Sequence, residues 1–433
     1  MSPSYTINNK RLPIYIDLQS TSDFFTDNDA VRGSVRVHPT ERPRRIKIEF
    51  EGLCKTKIVE GSGNAKKTYK ERPQLFLTSL LLFNSETHGE SYDIVNRGIE
   101  EDGKVTLPFE FSFPGQVTTA PPIWYKPREG FEHEAGHPLP PTLHHTDNVV
   151  EYLLKVSVYK KEHWPEVIAL SLPFRPASTM ISPSVLVRPP WNTTLSIRTQ
   201  QLNPRNAQDP GILTKLKWSA LPKYHDTVPE ASWKLAAQCP YQLIVGKQIP
   251  ISFSFQHIKH TSEMSEVPPV YIREIRVKVT SILAVRVPYQ GMTSNRDIVE
   301  DFPCDIIARS FLGHGQVMYD GFQLSELGPL VLPRTTLPSC KSYGLRLRYR
   351  IKVILSGECA GKSFTRDALR DACEVVMPQR PGGDASVAAP LETAGGATQV
   401  EEPLPVYEEA PGYVEEPSEA LEDRSNQAAG SNH

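Results

Sequence analysis

The chain has 433 residues, of which 39 are proline and 39% are apolar. So much proline, which lacks an N–H and clashes with the preceding helical turn, excludes a helical bundle or a coiled coil. The net charge of −2 conceals an acidic end: residues 379–433 hold two basic and eleven acidic residues, a net −9, against +7 for the rest.

In chain order the apolar residues fall at period two, the spacing that sends alternate side chains to one face of a sheet. Ile14, Ile16 and Leu18 alternate with polar neighbours. Val31, Val35 and Val37 do the same around Gly33, followed by Ile46, Ile48 and Phe50. Leu107, Phe109, Phe111 and Phe113 form a fourth run, and Tyr152–Val158 a fifth. Ile249–Phe255, Arg273–Val279 and Leu345–Leu355 continue the pattern. Half-buried strands separated by Pro, Gly, Asn and Asp predict antiparallel β-sandwiches. Thr365–Cys373 reads as a short helix-like stretch.

The body looks duplicated. Leu139-Pro140-Pro141-Thr142 precedes Tyr152-Leu-Leu-Lys-Val156, and Leu337-Pro338-Ser339-Cys340 precedes Tyr349-Arg-Ile-Lys-Val353. Proline and tyrosine are 12 residues apart in the first copy and 11 in the second. Two ordered elements at near-equal spacing predict two similar domains, joined around Pro173–Pro190. Residues 379–433 contain no Phe, Trp, Ile, Lys or Cys. A segment with so little to bury is expected to be disordered.

The Gly33-Ser-Val35-Arg-Val37 strand, Pro108-Phe-Glu-Phe-Ser-Phe113-Pro114, Leu139-Pro-Pro-Thr-Leu143 and Tyr152-Leu-Leu-Lys-Val-Ser-Val158 occur in this order. Tyr241-Gln-Leu-Ile-Val-Gly246-Lys-Gln-Ile249, Pro329-Leu-Val-Leu-Pro333 and Tyr349-Arg-Ile-Lys-Val353 follow. Together they resemble the arrestin-like proteins, in particular the fungal α-arrestin trafficking adaptors, over residues 10–378. The long Pro/His-rich loop between Pro114 and Leu139 departs from that pattern. The resemblance implies two tandem immunoglobulin-like, arrestin-like β-sandwiches, at 1–178 and 179–378, before a tail at 379–433. It implies no enzymatic activity and no cofactor. It implies an adaptor between membrane cargo, a transporter or receptor, and a HECT-type ubiquitin ligase recruited through PY motifs.

The tail carries such a motif. Leu404-Pro405-Val406-Tyr407 is an L-P-x-Y variant, and a poorer copy, Pro411-Gly412-Tyr413, follows six residues on. WW domains bind these segments because proline preforms an extended polyproline II helix. Two sites on one flexible tail gain affinity by multivalency. A stricter letter match, Pro268-Pro269-Val270-Tyr271, leads into the Arg273–Val279 run, where Tyr271 is expected on the inward face. The lysine-free tail sends any ubiquitin to the cargo or the body, where Lys66, Lys67 and Lys70 offer acceptors.

Arg346, Arg348, Arg350 and Lys352 share one strand face, and Arg42, Arg44 and Arg45 form a second basic cluster. Both suit acidic cargo segments or anionic lipid headgroups; solvation is the plainer use. Nucleic acid does not fit, because no aromatic interleaving or reading helix accompanies them. His133-Glu134-Ala-Gly136-His137 matches the H-E-x-x-H zinc pattern, but flanking glycines and prolines oppose the helix that pattern needs. Gly357-Glu-Cys-Ala-Gly361-Lys-Ser363 is one residue short of a phosphate loop and reads as a β-turn.

Six scattered cysteines give neither a disulfide framework nor a zinc set, and the first residues do not form a signal peptide. The expected protein is cytoplasmic and peripheral at the plasma membrane or endosomes. The second reading is an arrestin-fold scaffold that binds no ligase.

Overall fold

The computed structural model describes residues 6–19, 23–62, 66–86, 93–161, 164–177, 190–202, 228–261, 266–290 and 295–378. They lie within one compact unit, Met1–Pro381. The regular elements among them are β-strands and short 3-10 turns. The amino-terminal half holds β1 (Thr6–Ile7), β2 (Ile14–Leu18), β3 (Ala30–Val37), β4 (Arg45–Glu60) and β5 (Lys67–Glu71). It continues through β6 (Gln74–Asn84), β7 (Val105–Ser112), β8 (Leu143–His145), β9 (Asn148–Tyr159) and β10 (Glu166–Leu172). The carboxy-terminal half holds β11 (Trp191–Arg198), β12 (Glu230–Gln238), β13 (Gln242–Ile244), β14 (Ser252–His260) and β15 (Val270–Gln290). After these come β16 (Asn295–Val317), β17 (Phe322–Gln323), β18 (Cys340–Lys341), β19 (Leu345–Cys359) and β20 (Lys362–Val376).

Each half contributes two sheets. In the first, a seven-stranded sheet runs β1-β10-β9-β4-β5, with β6 also on β4 and β8 on β9, beside a three-stranded β2-β3-β7 sheet. In the second, a four-stranded β11-β12-β14-β17 sheet accompanies a six-stranded β13-β20-β19-β15-β16 sheet with β18 on β19. Nearly all ladders are antiparallel; β1–β10 and β13–β20 are parallel. The period-two runs bury one face each. On β19, Leu345, Leu347, Tyr349, Ile351, Val353 and Leu355 are all buried. In the first half, Phe50 of β4 meets Phe111 of β7 at 5.7 Å and Phe113 at 4.8 Å, so the two sheets close on a shared aromatic core. The protein is all-β, built from packed antiparallel sheets.

The duplicated motif marks the same bonds in both halves. The Tyr152 hydroxyl donates to the Pro140 carbonyl at 2.5 Å, and the Tyr349 hydroxyl donates to the Leu337 carbonyl at 2.6 Å. Both tyrosines reach back twelve residues. Ten residues before each tyrosine stands a hydroxyl that accepts a backbone N–H. Thr142 Oγ1 takes that of Phe174 at 2.8 Å, and Ser339 Oγ takes that of Val375 at 2.9 Å. The equivalence is therefore Pro140 with Leu337 and Thr142 with Ser339, one residue away from the proline-to-proline match. The buried hydroxyl–carbonyl bond, not the proline, fixes the spacing.

Two expectations are corrected. Thr365–Cys373 is strand, part of β20, and not helix-like. A β-bulge where Val353 faces Leu369 but Ile354 faces Asp367 leaves Ala368 extra in the ladder. Ala368 and Leu369, adjacent in sequence, are thus both buried, which imitates a helical pattern. Tyr271 is not on the face of Ile275, Val277 and Val279. A bulge between Ile272 and Glu274 shifts the register, so Ile272 is buried and Tyr271 is exposed. The Gly357–Ser363 segment is the β19–β20 hairpin, turning through Ala360 at φ 46° and Gly361 at φ 71°. Two successive left-handed residues are what a type I′ two-residue hairpin turn requires.

Candidate functional site

The outward face of the six-stranded sheet gathers a row of basic side chains. On β19 the side chains that alternate with the buried row are Arg346, Arg348, Arg350 and Lys352. The ladders place Lys352 between Lys278 of β15 and Arg370 of β20. Like charges opposed across strands destabilise a sheet unless neutralised. Here Asp305 takes Lys278 at 2.8 Å, Asp367 takes Lys352 at 3.1 Å, and Asp301 takes Arg348 at 2.9 Å. The Lys278 ammonium and the Thr280 hydroxyl hold the Asp305 carboxyl below the usual range. Arg350 and Arg370 are exposed and lack an acidic partner among the described residues.

Arg346 leaves this face for a cleft of about 370 Å³ between the halves. Glu132, Lys341, Arg348 and Glu374 also line it. The Arg346 guanidinium lies 5.4 Å from the Phe131 ring centre, and Gly130 leaves room for it: a Cβ there would fall 1.7 Å from Arg346 Nη1. Burial first, then the neighbouring Arg348 charge, lower its affinity for its proton. The Nε atoms of Arg346 and Arg348 are buried without hydrogen-bond partners among the described residues.

The second basic cluster is separate. Arg42, Arg44 and Arg45 lie in the amino-terminal half, exposed at the entry to β4. Arg45 stacks on the Tyr159 ring at 4.1 Å. Lys66, Lys67 and Lys70 are exposed on the β4–β5 hairpin, whereas Lys55 and Lys57 pair with Glu151 and Asp147.

Of the proline–tyrosine motifs, Pro268, Pro269 and Tyr271 are described. Pro269 and Tyr271 are exposed, but the Tyr271 backbone is committed on both sides, opposite Val317 of β16 and Glu358 of β19. Such a ladder denies the segment the free extended form a WW groove takes up. Leu404, Pro405 and Tyr407, and Pro411 and Tyr413, lie outside the described residues.

The proline- and histidine-rich loop after β7 fills the joint between the halves. Its Tyr125, Phe131 and His137 are buried. The Thr119 carbonyl accepts the Tyr343 hydroxyl at 2.7 Å, and the Glu132 N–H donates to the Ser342 carbonyl at 3.1 Å. His133-Glu134-Ala-Gly-His137 is irregular backbone, with Gly136 at φ 96°. His137 Nδ1 donates to the Glu134 carbonyl at 2.9 Å. Without a helix its two histidines do not stand one turn apart, as the zinc pattern needs.

Sequence reasoning missed the charge in this joint. Arg286 of β15 is 1% exposed. Its Nε donates to Asp297 Oδ1 at 2.8 Å, and its Nη2 to the Lys126 carbonyl at 2.5 Å. Arg128 reaches the same carboxylate at 3.1 Å. The available signal was an arginine inside Ile282–Val287, a run otherwise apolar on both faces, where a charge demands a partner.

No helix among the described residues is long and apolar enough to cross a membrane. No protein-family model and no curated protein matches the chain.

Proposed function

We propose that the chain is an arrestin-like adaptor that joins membrane cargo to a WW-domain ubiquitin ligase. In this reading the two halves are tandem arrestin-type sandwiches at 1–178 and 179–378. Residues 379–433 carry Leu404, Pro405 and Tyr407 as the ligase motif and Pro411 and Tyr413 as its weaker copy. The basic face of β19 takes acidic cytosolic segments of a transporter or receptor. Ubiquitin then passes to the cargo, or to body lysines such as Lys67, because the tail has none.

The observation that supports this reading most is the outward face of the six-stranded sheet. A rigid sheet presents Arg350 and Arg370 beside arginines and lysines already balanced by Asp301, Asp305 and Asp367. Fixed, unpaired guanidinium groups attract carboxylate-rich chains and steer their encounter. The repeated tyrosine–carbonyl bond supports duplication of one domain type.

The test has two arms. A labelled peptide of residues 398–420 is titrated with HECT-ligase WW domains, beside its Tyr407→Ala form and a 262–276 peptide. Binding of the first peptide alone, lost by at least about tenfold in Tyr407→Ala, is expected. An acidic peptide is then titrated against the full chain and against Arg350→Glu/Arg370→Glu, where a loss of about tenfold is expected. Absence of WW binding by both peptides removes the ligase and leaves an arrestin-fold scaffold. Unchanged acidic-peptide binding in the double variant removes this face as the cargo surface.

A further inference from the structure

We propose that one end of the amino-terminal seven-stranded sheet is a membrane-docking edge: Trp164 enters the headgroup layer of an anionic bilayer while Arg42, Arg44 and Lys161 lie over its phosphates. Trp164 stands at the turn between β9 and β10 and is 94% exposed. An indole has a broad apolar body with one polar N–H, so it is costly in water and suited to the boundary between headgroups and acyl chains.

The topology puts the basic turn beside it. Arg45 faces Tyr159 in the β4–β9 ladder, the Arg44 N–H donates to the Tyr159 carbonyl at 2.8 Å, and Glu166 faces Val158. The turn before β4 and the β9–β10 hairpin therefore share one end of the sheet. Lys160 there occupies two nearby carboxylates, Glu41 and, at 3.3 Å, Glu166. Arg42, Arg44 and Lys161 are left exposed, without an acidic partner among the described residues. Glu86 is the exposed carboxylate at the adjoining end of β6, where the Ser85 N–H donates to the Arg44 carbonyl at 2.8 Å. The described charges at this end remain positive in sum.

A protruding indole with a cationic rim suits a soft, anionic, planar partner. A protein partner of ordinary interface size would call instead for a broad packed patch around the indole. The inference rests on the membrane-side part of the reading above and is independent of the ligase motif.

The experiment is co-sedimentation of the full chain with phosphatidylcholine vesicles, with and without phosphatidylserine. It compares wild type, Trp164→Ala, Arg42→Glu/Arg44→Glu and the distant Arg350→Glu/Lys352→Glu, after thermal melts show that all fold alike. Binding that needs phosphatidylserine is expected. Trp164→Ala should weaken it at least about fivefold, and each basic charge removed should cost about fivefold more. The Arg350→Glu/Lys352→Glu variant should bind like wild type.

Three outcomes overturn the proposal: no phosphatidylserine-dependent binding, binding unchanged by Trp164→Ala and Arg42→Glu/Arg44→Glu, or loss confined to Arg350→Glu/Lys352→Glu. The last would move membrane contact to the carboxy-terminal half and spare the adaptor reading. Soluble polyglutamate serves as a further arm. If it binds and depends on Trp164 and Arg42 while vesicles do not, the partner is an acidic protein and the proposal falls.

Discussion

His137 shows how one side chain ties the joint to pH. Its ring meets that of Tyr343 edge-on at 4.9 Å, Nδ1 is occupied by the Glu134 carbonyl, and Nε2 is buried without a partner among the described residues. Burial is the main reason its affinity for a second proton is lowered. Above the ordinary histidine range both folded and unfolded chains carry it neutral. As pH falls through about 6.5, the unfolded chain takes up a proton that the folded form resists, so stability falls with pH. Urea midpoints between about pH 8 and pH 5.5 should decline more steeply in wild type than in His137→Phe. Equal slopes would mean that His137 is not the sensor. At this same scale the sequence was half legible. The tyrosine of each repeat was visible, but the carbonyl it binds was not, because a hydrogen bond is chosen by geometry and not by residue type.

At the scale of elements, alternation made β2, β3, β4, β7, β9, β14, β15 and β19 visible, while β6, β12 and β16 went unread and bulges hid what they rearranged. The β19–β20 hairpin turns through Ala360 at φ 46° and Gly361 at φ 71°. Glycine accepts this conformation freely, whereas alanine there costs about 1 kcal/mol or more. Asparagine, which tolerates the left-handed region, is favoured at the first position of such turns. Ala360→Asn should therefore stabilise the protein by about 0.5–1 kcal/mol, measured as a higher urea midpoint at unchanged slope. A lower midpoint would show that the turn is not under this constraint. The two bulges matter more for interpretation. One extra residue at Ala368 buried two neighbours on one face, and the bulge at Ile272–Glu274 turned Tyr271 outward. A local reading assumes an unbroken period of two and so misplaces everything beyond the insertion.

Across the whole molecule the two halves are coupled by a buried charge. Arg286 bonds to Asp297 and to the Lys126 carbonyl, which joins the β15–β16 hairpin to the loop after β7. Asp297→Ala leaves a nearly fully buried guanidinium without its carboxylate and should cost about 3–5 kcal/mol. Arg286→Met should cost less, since Asp297 keeps Arg128 and part of its solvent exposure. Calorimetry of the full chain should show one cooperative transition that Asp297→Ala lowers, broadens or splits. An unchanged melt would mean that this network does not couple the halves. The Pro/His-rich loop after β7 thus has a structural role in the joint, and its zinc-like letters belong to that role.

The sequence by itself determined the all-β character, the positions of the strands that alternate most regularly, the repeat and the charge division along the chain. Each is written in local spacing or composition, which needs no partner to be read. Tertiary structure decided which twin bonds the repeat encodes, where the bulges fall, which basic side chains keep no acidic partner among the described residues, and that Arg286 meets Asp297. Those depend on contacts between residues far apart in the chain, where burial and desolvation, rather than local preference, select the arrangement.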